Sequence, residues 1–179
     1  FGMINAGHGG DNTNLAAARF EQDVLAHDPD LVIIQLGIND SAIDVWKDVT
    51  VPRVPIEEYE ANLEGFVTAL KGRGSKVILM TPNPLRWTDR LKELYGKPPY
   101  NADDPDGFSF LLKDYAERVR QIAARQDVPL VDSFRLFQED ETYTVDQLLL
   151  DGMHPNDAGH AIEADALLEI IREMFPVDG

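Results

Sequence analysis

The 179-residue chain contains no cysteine, which excludes disulfides and thiolate metal sites and leaves the redox compartment open. Basic residues are scarce. Sixteen Lys and Arg stand against 32 Asp and Glu, a formal net charge of −16. No basic patch outweighs that balance, so nucleic acid and anionic membrane surfaces are excluded as favoured partners. No apolar run approaches the roughly 18 residues of a membrane span. Serine is nearly absent as well, with only Ser41, Ser75, Ser109 and Ser133.

What remains is ordinary for a single globular domain, expected to span residues 1–179. The composition is 44% hydrophobic and 27% charged, and the length allows a substantial core. Four short apolar runs stand out: Gly2–Asn5 (GMIN), Leu31–Gly37 (LVIIQLG), Lys76–Thr81 (KVILMT) and Pro129–Asp132 (PLVD). Continuous rather than alternating apolar runs suit strands covered on both faces, as in parallel sheets. Amphipathic segments near 13–27, 56–73, 109–127 and 157–174 read as helices. In the third, Leu111, Leu112, Tyr115, Val119 and Ile122 recur at three- and four-residue steps and mark one buried face. Alternating strand and helix gives an α/β fold, a doubly wound parallel sheet with right-handed crossovers. Ligands of such folds bind beyond the carboxyl ends of the strands. The segment from Pro82 to Gly107 breaks the alternation. It is rich in Pro, Asp and aromatics, it is long for a connection, and its stretch WTDRLKELYG suits a short helix.

Three segments at the expected strand ends carry candidate chemistry. NAGHGGDNT follows the first run, and its glycines let backbone N–H groups approach a ligand. It is equally at home as a plain strand-to-helix turn, and it is neither a P-loop nor a dinucleotide fingerprint. GIND follows the second run, where Asn39 either caps a turn or donates its amide to a ligand oxygen. DGMHPNDAGH sets Asp151 three residues before His154, ahead of a helix. A carboxylate beside an imidazole fixes its tautomer and supports its charged form, as a general base requires, though Asp-x-x-His alone is also a surface loop. Together the three supply an acyl-transfer site: oxyanion donors at Gly10 and Asn39, a base at His154 and its orienter at Asp151.

In these residues the chain resembles the SGNH hydrolases, the GDSL lipase/esterase family. NAGHGGDNT resembles its second block, GIND its third and DGMHPN its last. The resemblance implies a flavodoxin-like three-layer αβα sandwich with a five-stranded parallel sheet. It also implies a Ser-His-Asp triad, with His154 and Asp151 as base and acid and Gly10 and Asn39 in the oxyanion hole. The family's first block, a Gly-Asp-Ser motif after a central first strand, does not occur in the chain, and none of the four serines stands in that setting. Ser133 and Ser41 come nearest, close to strand carboxyl ends. The expectation is therefore that a natural segment of roughly 30–50 residues, one strand plus one crossover helix, precedes Phe1 and carries the nucleophile.

The activity so implied is hydrolysis of small-acyl, chiefly acetyl, esters on carbohydrate. The aromatic and polar residues of the Pro82–Gly107 segment favour a sugar over a long lipid chain. Arg86 and Trp87 are candidate substrate contacts, with Trp87 equally suited to anchoring the loop, and His8 is placed at a structural or substrate-edge position. No cofactor or metal is required. Asp11, Asp40 and Asp151 are carboxylates near the site in a chain rich in them. The partner is a small-molecule or carbohydrate ester, the oligomeric state is left open, and a secreted or periplasmic location is compatible with an upstream signal segment. The competing expectation is a non-catalytic carbohydrate-binding protein that keeps the pocket and lacks the serine. Flavin or phosphate binding at the glycine loop leaves DGMHPN without a role.

Overall fold

A computed structural model describes residues 2–176. Three parallel strands form the sheet in the order β1 (Leu31–Gln35), β2 (Lys76–Met80), β3 (Leu130–Val131). Leu31 pairs with Lys76 and Gln35 with Met80; Leu79 and Met80 pair with Leu130 and Val131. The helices are α1 (Thr13–Asp23), α2 (Ile38–Ser41), α3 (Ile56–Gly72), α4 (Asp89–Tyr95), α5 (Leu112–Gln126), α6 (Ser133–Glu139), α7 (Val145–Leu148) and α8 (Asp157–Met174).

The continuous apolar run of β2 is explained by its two faces. Successive side chains point to opposite sides of a strand. Val77 and Leu79 enter the larger core with Leu63, Phe66 and Leu70 of α3 and Val119 and Ile122 of α5. Ile78 and Met80 join Val131 beneath Leu167, Ile170 and Ile171 of α8. Helices thus cover both faces in the three layers of an αβα sandwich. Ile78 and Leu79 are fully buried, and burial of such a side chain stabilises by about 1.5–3 kcal/mol.

One expected strand is not formed. Gly2–Asn5 is irregular and open to solvent, with Met3 96% and Ile4 62% exposed. A strand needs a neighbour to satisfy its backbone groups, and among the described residues none lies beside this segment. The outer edge of β1 is likewise unpaired among the described residues, and Ile33 of β1 is 42% exposed. The Pro82–Gly107 segment does contain its short helix, α4, capped by the Thr88 hydroxyl, which accepts from Leu91 N–H at 3.3 Å.

Candidate active site

His154 and Asp151 sit on a tight loop whose shape is set by its own backbone. Leu149 and Pro155 form an antiparallel bridge, and Leu150 N–H donates to the His154 carbonyl at 2.8 Å. Asn156 caps α8, accepting from Ala158 and Gly159 N–H, while its own amide donates to the Gln147 carbonyl. Such a cap fixes where the helix starts, and so where His154 stands. Gly152 turns the loop with φ +86°, and a Cβ there would lie 2.5 Å from the Arg86 carbonyl oxygen. Arg86 N–H donates to Gly152 carbonyl at 2.8 Å, and the Asn83 amide donates to the Met153 carbonyl at 2.9 Å, fastening the loop to the chain leaving β2.

Within the loop, the Asp151 carboxylate lies 2.9 and 3.1 Å from His154 Nδ1 and accepts from the backbone N–H of Met153 and His154. Burial pushes this carboxyl upward. The hydrogen bonds from His154 and Met153 outweigh that effect and leave it below the ordinary aspartate range. A carboxylate held ionised on Nδ1 leaves Nε2 as the nitrogen that can exchange a proton.

Asn39 lies on α2, directly beyond β1. Gly37 makes the turn with φ +138°, where a Cβ would meet the Tyr59 hydroxyl at 3.0 Å. The Asn39 side-chain oxygen accepts from Arg53 Nη1 at 2.8 Å. Gly10 stands in the turn before α1 with φ +88°, in an exposed loop closed by Asp11 N–H donating to the His8 carbonyl. Asp40 ties these two blocks together. Its Oδ1 accepts from Thr13 N–H at 2.8 Å and from the Thr13 hydroxyl at 2.6 Å. Asp40 is fully buried and its Oδ2 has no partner among the described residues. Burial pushes its carboxyl up against the hydrogen bonds from Thr13. Asp11 is turned away to Arg19. The three carboxylates Asp11, Asp40 and Asp151 therefore have separate partners, and no metal-binding cluster occurs among the described residues.

A pocket of about 100 Å³ runs from Asn39 to Met153, the residue before His154. Asn39 and Arg53 line one side, Met153 borders His154 on another, and Tyr95, Tyr100 and Phe108 close it. The Pro82–Gly107 segment is built around those aromatics. Trp87 stacks on Phe108 at 4.5 Å between centroids, and its indole N–H donates to the carbonyls of Asn101 and Asp104. The Tyr100 hydroxyl accepts from Ile43 N–H at 2.8 Å. Of the two roles open to Trp87, its contacts are those of the loop anchor. Arg86 spans Asp106 at 2.6 Å and Asp146 at 3.6 Å, and its backbone holds the Asp151–His154 loop. His8 is exposed in the glycine turn.

None of the four serines makes a hydrogen bond to His154 among the described residues, although Ser41 lines the same pocket as Asn39. All are buried. Ser41 donates to the Ile38 carbonyl, Ser109 both accepts from Leu85 N–H and donates to its carbonyl, and Ser133 accepts from Gln35. Ser75 precedes β2, at the opposite end of the sheet.

Comparison with known proteins fits this arrangement. A profile described as the GDSL-like lipase/acylhydrolase family matches residues 2–162. An acetylxylan esterase of Geobacillus stearothermophilus is 32% identical over 175 residues, covering 94% of this chain and 71% of its own length. A crystal structure of a catalytic variant of that enzyme superposes with a TM-score of 0.68, covering 90% of this chain and 68% of its own. An uncharacterized lipoprotein of Bacillus subtilis is 34% identical over 140 residues, 76% of this chain and 56% of its own length. A GDSL-like lipase from Bacteroides thetaiotaomicron, 21% identical, shares the fold with a TM-score of 0.71 over 93% of this chain and 73% of its own. The chain belongs to the GDSL-like lipase/acylhydrolase family, and by class it is a carboxylic ester hydrolase. In the Geobacillus enzyme, structures described as catalytic mutants replace a serine, an aspartate and a histidine, the last two three residues apart.

Proposed function

We propose that the protein hydrolyses small-acyl esters, acetyl above all, carried on carbohydrate. The observation that carries this reading is the Asp151-oriented His154, which follows Met153 in the chain, and the small pocket that Met153 lines together with Asn39. His154 accepts the proton of a serine hydroxyl as that oxygen attacks the ester carbonyl, and returns it to the departing sugar hydroxyl. Water then repeats the sequence on the acyl-enzyme. The Asn39 amide and the Gly10 N–H receive the charge that develops on the carbonyl oxygen. A pocket of about 100 Å³ is small beside the ~300–1,000 Å³ of sites for drug-sized ligands, which favours a short acyl group over a long chain. The acetylxylan esterase relative supports acetyl on a sugar.

The serine in this proposal lies on a segment preceding Phe1. Three features support it: the internal hydrogen bonds of Ser41, Ser109 and Ser133, the outer edge of β1 left unpaired among the described residues, and the serine replaced in a catalytic mutant of the relative. The lipoprotein relative supports an extracytoplasmic location for the whole protein. No described helix is long and apolar enough to cross a membrane.

The test is acetate release from acetylated xylo-oligosaccharides by the natural full-length protein, together with its intact mass after a fluorophosphonate probe. Release with a single adduct mapping upstream of Phe1 is the expected result. An adduct on one of the four serines would relocate the nucleophile. Absence of both adduct and release, with the oligosaccharide still bound in calorimetry, would establish the non-catalytic binding protein instead.

A further inference from the structure

We infer that Arg53, held by Asp44, is a positioning residue that fixes which end of the Asn39 amide faces the substrate. The inference rests on the assignment of Asn39 to the oxyanion hole. An asparagine amide has an acceptor end and a donor end of nearly equal size, so two orientations related by a half-turn fit the same space. Only one stabilises an oxyanion. The other presents a carbonyl oxygen to the developing negative charge and opposes the reaction.

The guanidinium removes the ambiguity because it carries donors and no acceptor. Its Nη1 lies 2.8 Å from the Asn39 side chain, so the group facing it must be the oxygen. The two Nδ2 hydrogens are therefore turned away from Arg53, and among the described residues no hydrogen bond engages them. Arg53 is itself restrained. Its Nε and Nη2 both donate to Asp44 Oδ1, at 3.2 and 2.7 Å. Its backbone N–H donates to the Ala42 carbonyl, and Val54 N–H donates to the Asp40 carbonyl, pinning this stretch to the end of α2. Asp44 is mostly buried, and its hydrogen bond from Arg53 holds its carboxyl below the ordinary range. Arg53 also lines the pocket that Asn39 lines. Lysine cannot reproduce this arrangement, since one ammonium does not span Asn39 and Asp44 in the fixed geometry of a planar fork.

Two readouts test the proposal, one of them independent of turnover. In 15N-labelled protein, the Asn39 side-chain amide pair is assigned by its disappearance in Asn39→Ala. In Arg53→Met that pair is expected to shift and to exchange its two protons faster, because the oxygen has lost its donor. An unchanged pair would overturn the proposal. In kinetics on acetyl esters with the full-length protein, Arg53→Met is expected to lower kcat about tenfold or more with little change in KM. The ceiling is the ~10²–10³ typical of deleting an oxyanion donor. Arg53→Met should cause no further loss when Asn39 is already alanine, and Arg53→Lys should recover part of the loss. Equal losses with and without Asn39 would assign Arg53 a role independent of the amide and sink the inference. If the unaltered protein turns over no ester, the esterase reading fails, and the amide spectrum alone still decides for or against Arg53. If Arg53→Met does not fold, the same spectrum is read in Arg53→Ala, which likewise removes every donor at this position; a shift there supports the proposal and its absence opposes it.

Discussion

Asn39 and Gly152 sit in the same site for different physical reasons, and their substitutions separate chemistry from folding. Asn39 is on a short helix turn, and its side chain touches Arg53 rather than the core. Asn39→Ala should therefore leave the unfolding transition nearly unchanged while lowering kcat on an acetyl ester by about 10²–10³. Retained turnover would remove Asn39 from the oxyanion hole. Gly152 offers the opposite case. A side chain there meets a left-handed backbone at φ +86° and a carbonyl oxygen 2.5 Å away. Strain of this kind costs about 1–3 kcal/mol, so Gly152→Ala should shift the urea midpoint by a corresponding amount. It should also loosen the Asp151–His154 loop, which is fastened to Arg86 at that point. A midpoint unchanged in Gly152→Ala would show that the loop has another low-strain conformation.

At the scale of elements, the sheet is legible in the sequence where a run finds a pairing partner and illegible where pairing depends on what lies alongside. KVILM becomes β2 because helices cover it on both faces, and LVIIQ and LV become β1 and β3 by pairing with it, although β1 keeps Ile33 42% exposed. GMIN has the same apolar character and stays irregular because no described strand adjoins it. The helices near 56–73, 109–127 and 157–174 follow their apolar periodicity to within a few residues, since one face of each enters a core. The Asp-x-x-His loop, the GIND turn and the glycine loop were visible as motifs because their chemistry is local. Arg53 was not. It meets Asn39 from 14 residues away, across an irregular stretch whose course is set by Asp44 and the α2 backbone rather than by periodicity. Tyr95 and Tyr100 stood out as aromatics without revealing that they close a pocket. The open edge of β1 has its own consequence. An unpaired strand with an exposed isoleucine is a template for pairing with another chain. The 179-residue chain should self-associate as its concentration rises, and Ile33→Lys should suppress this in light scattering. Association undiminished by the lysine would place the contact elsewhere.

For the molecule as a whole, acid should act through a few held carboxylates more than through the net charge. At −16 the folded chain repels itself at neutral pH, and that repulsion fades on approach to the sequence pI of about 4.4. Net charge alone would then make the fold more stable as pH falls. Asp44, Asp132 and Asp151 act in the other direction, each held below the ordinary range. For Asp132, burial raises the carboxyl, and the two-pronged bond from Arg120, at 2.7 and 3.0 Å, outweighs it. A carboxyl lowered on folding stabilises fully above its unfolded value, near 3.9. That contribution is lost as pH falls through the folded value. Asp40, raised by burial, has the opposite sign: its charged form is penalised in the fold, and protonation relieves the penalty as pH falls through its raised value. Asp44, Asp132 and Asp151 therefore lose stabilising charge below about pH 4, and protonation of Asp40 acts against that loss. Asp132→Asn isolates the member that joins α5 to the end of β3 and caps α6. The variant should be less stable than the parent at pH 7 by about 1.5–3 kcal/mol, the range for hydrogen bonds to a charged group. The gap should narrow progressively as pH falls from 7 toward 3, as the parent's carboxyl begins to take up its proton. Urea unfolding at the two pH values measures it. A gap of the same size at both would mean that Asp132 acts by shape and capping alone, and that acid unfolds this protein through some other carboxylate.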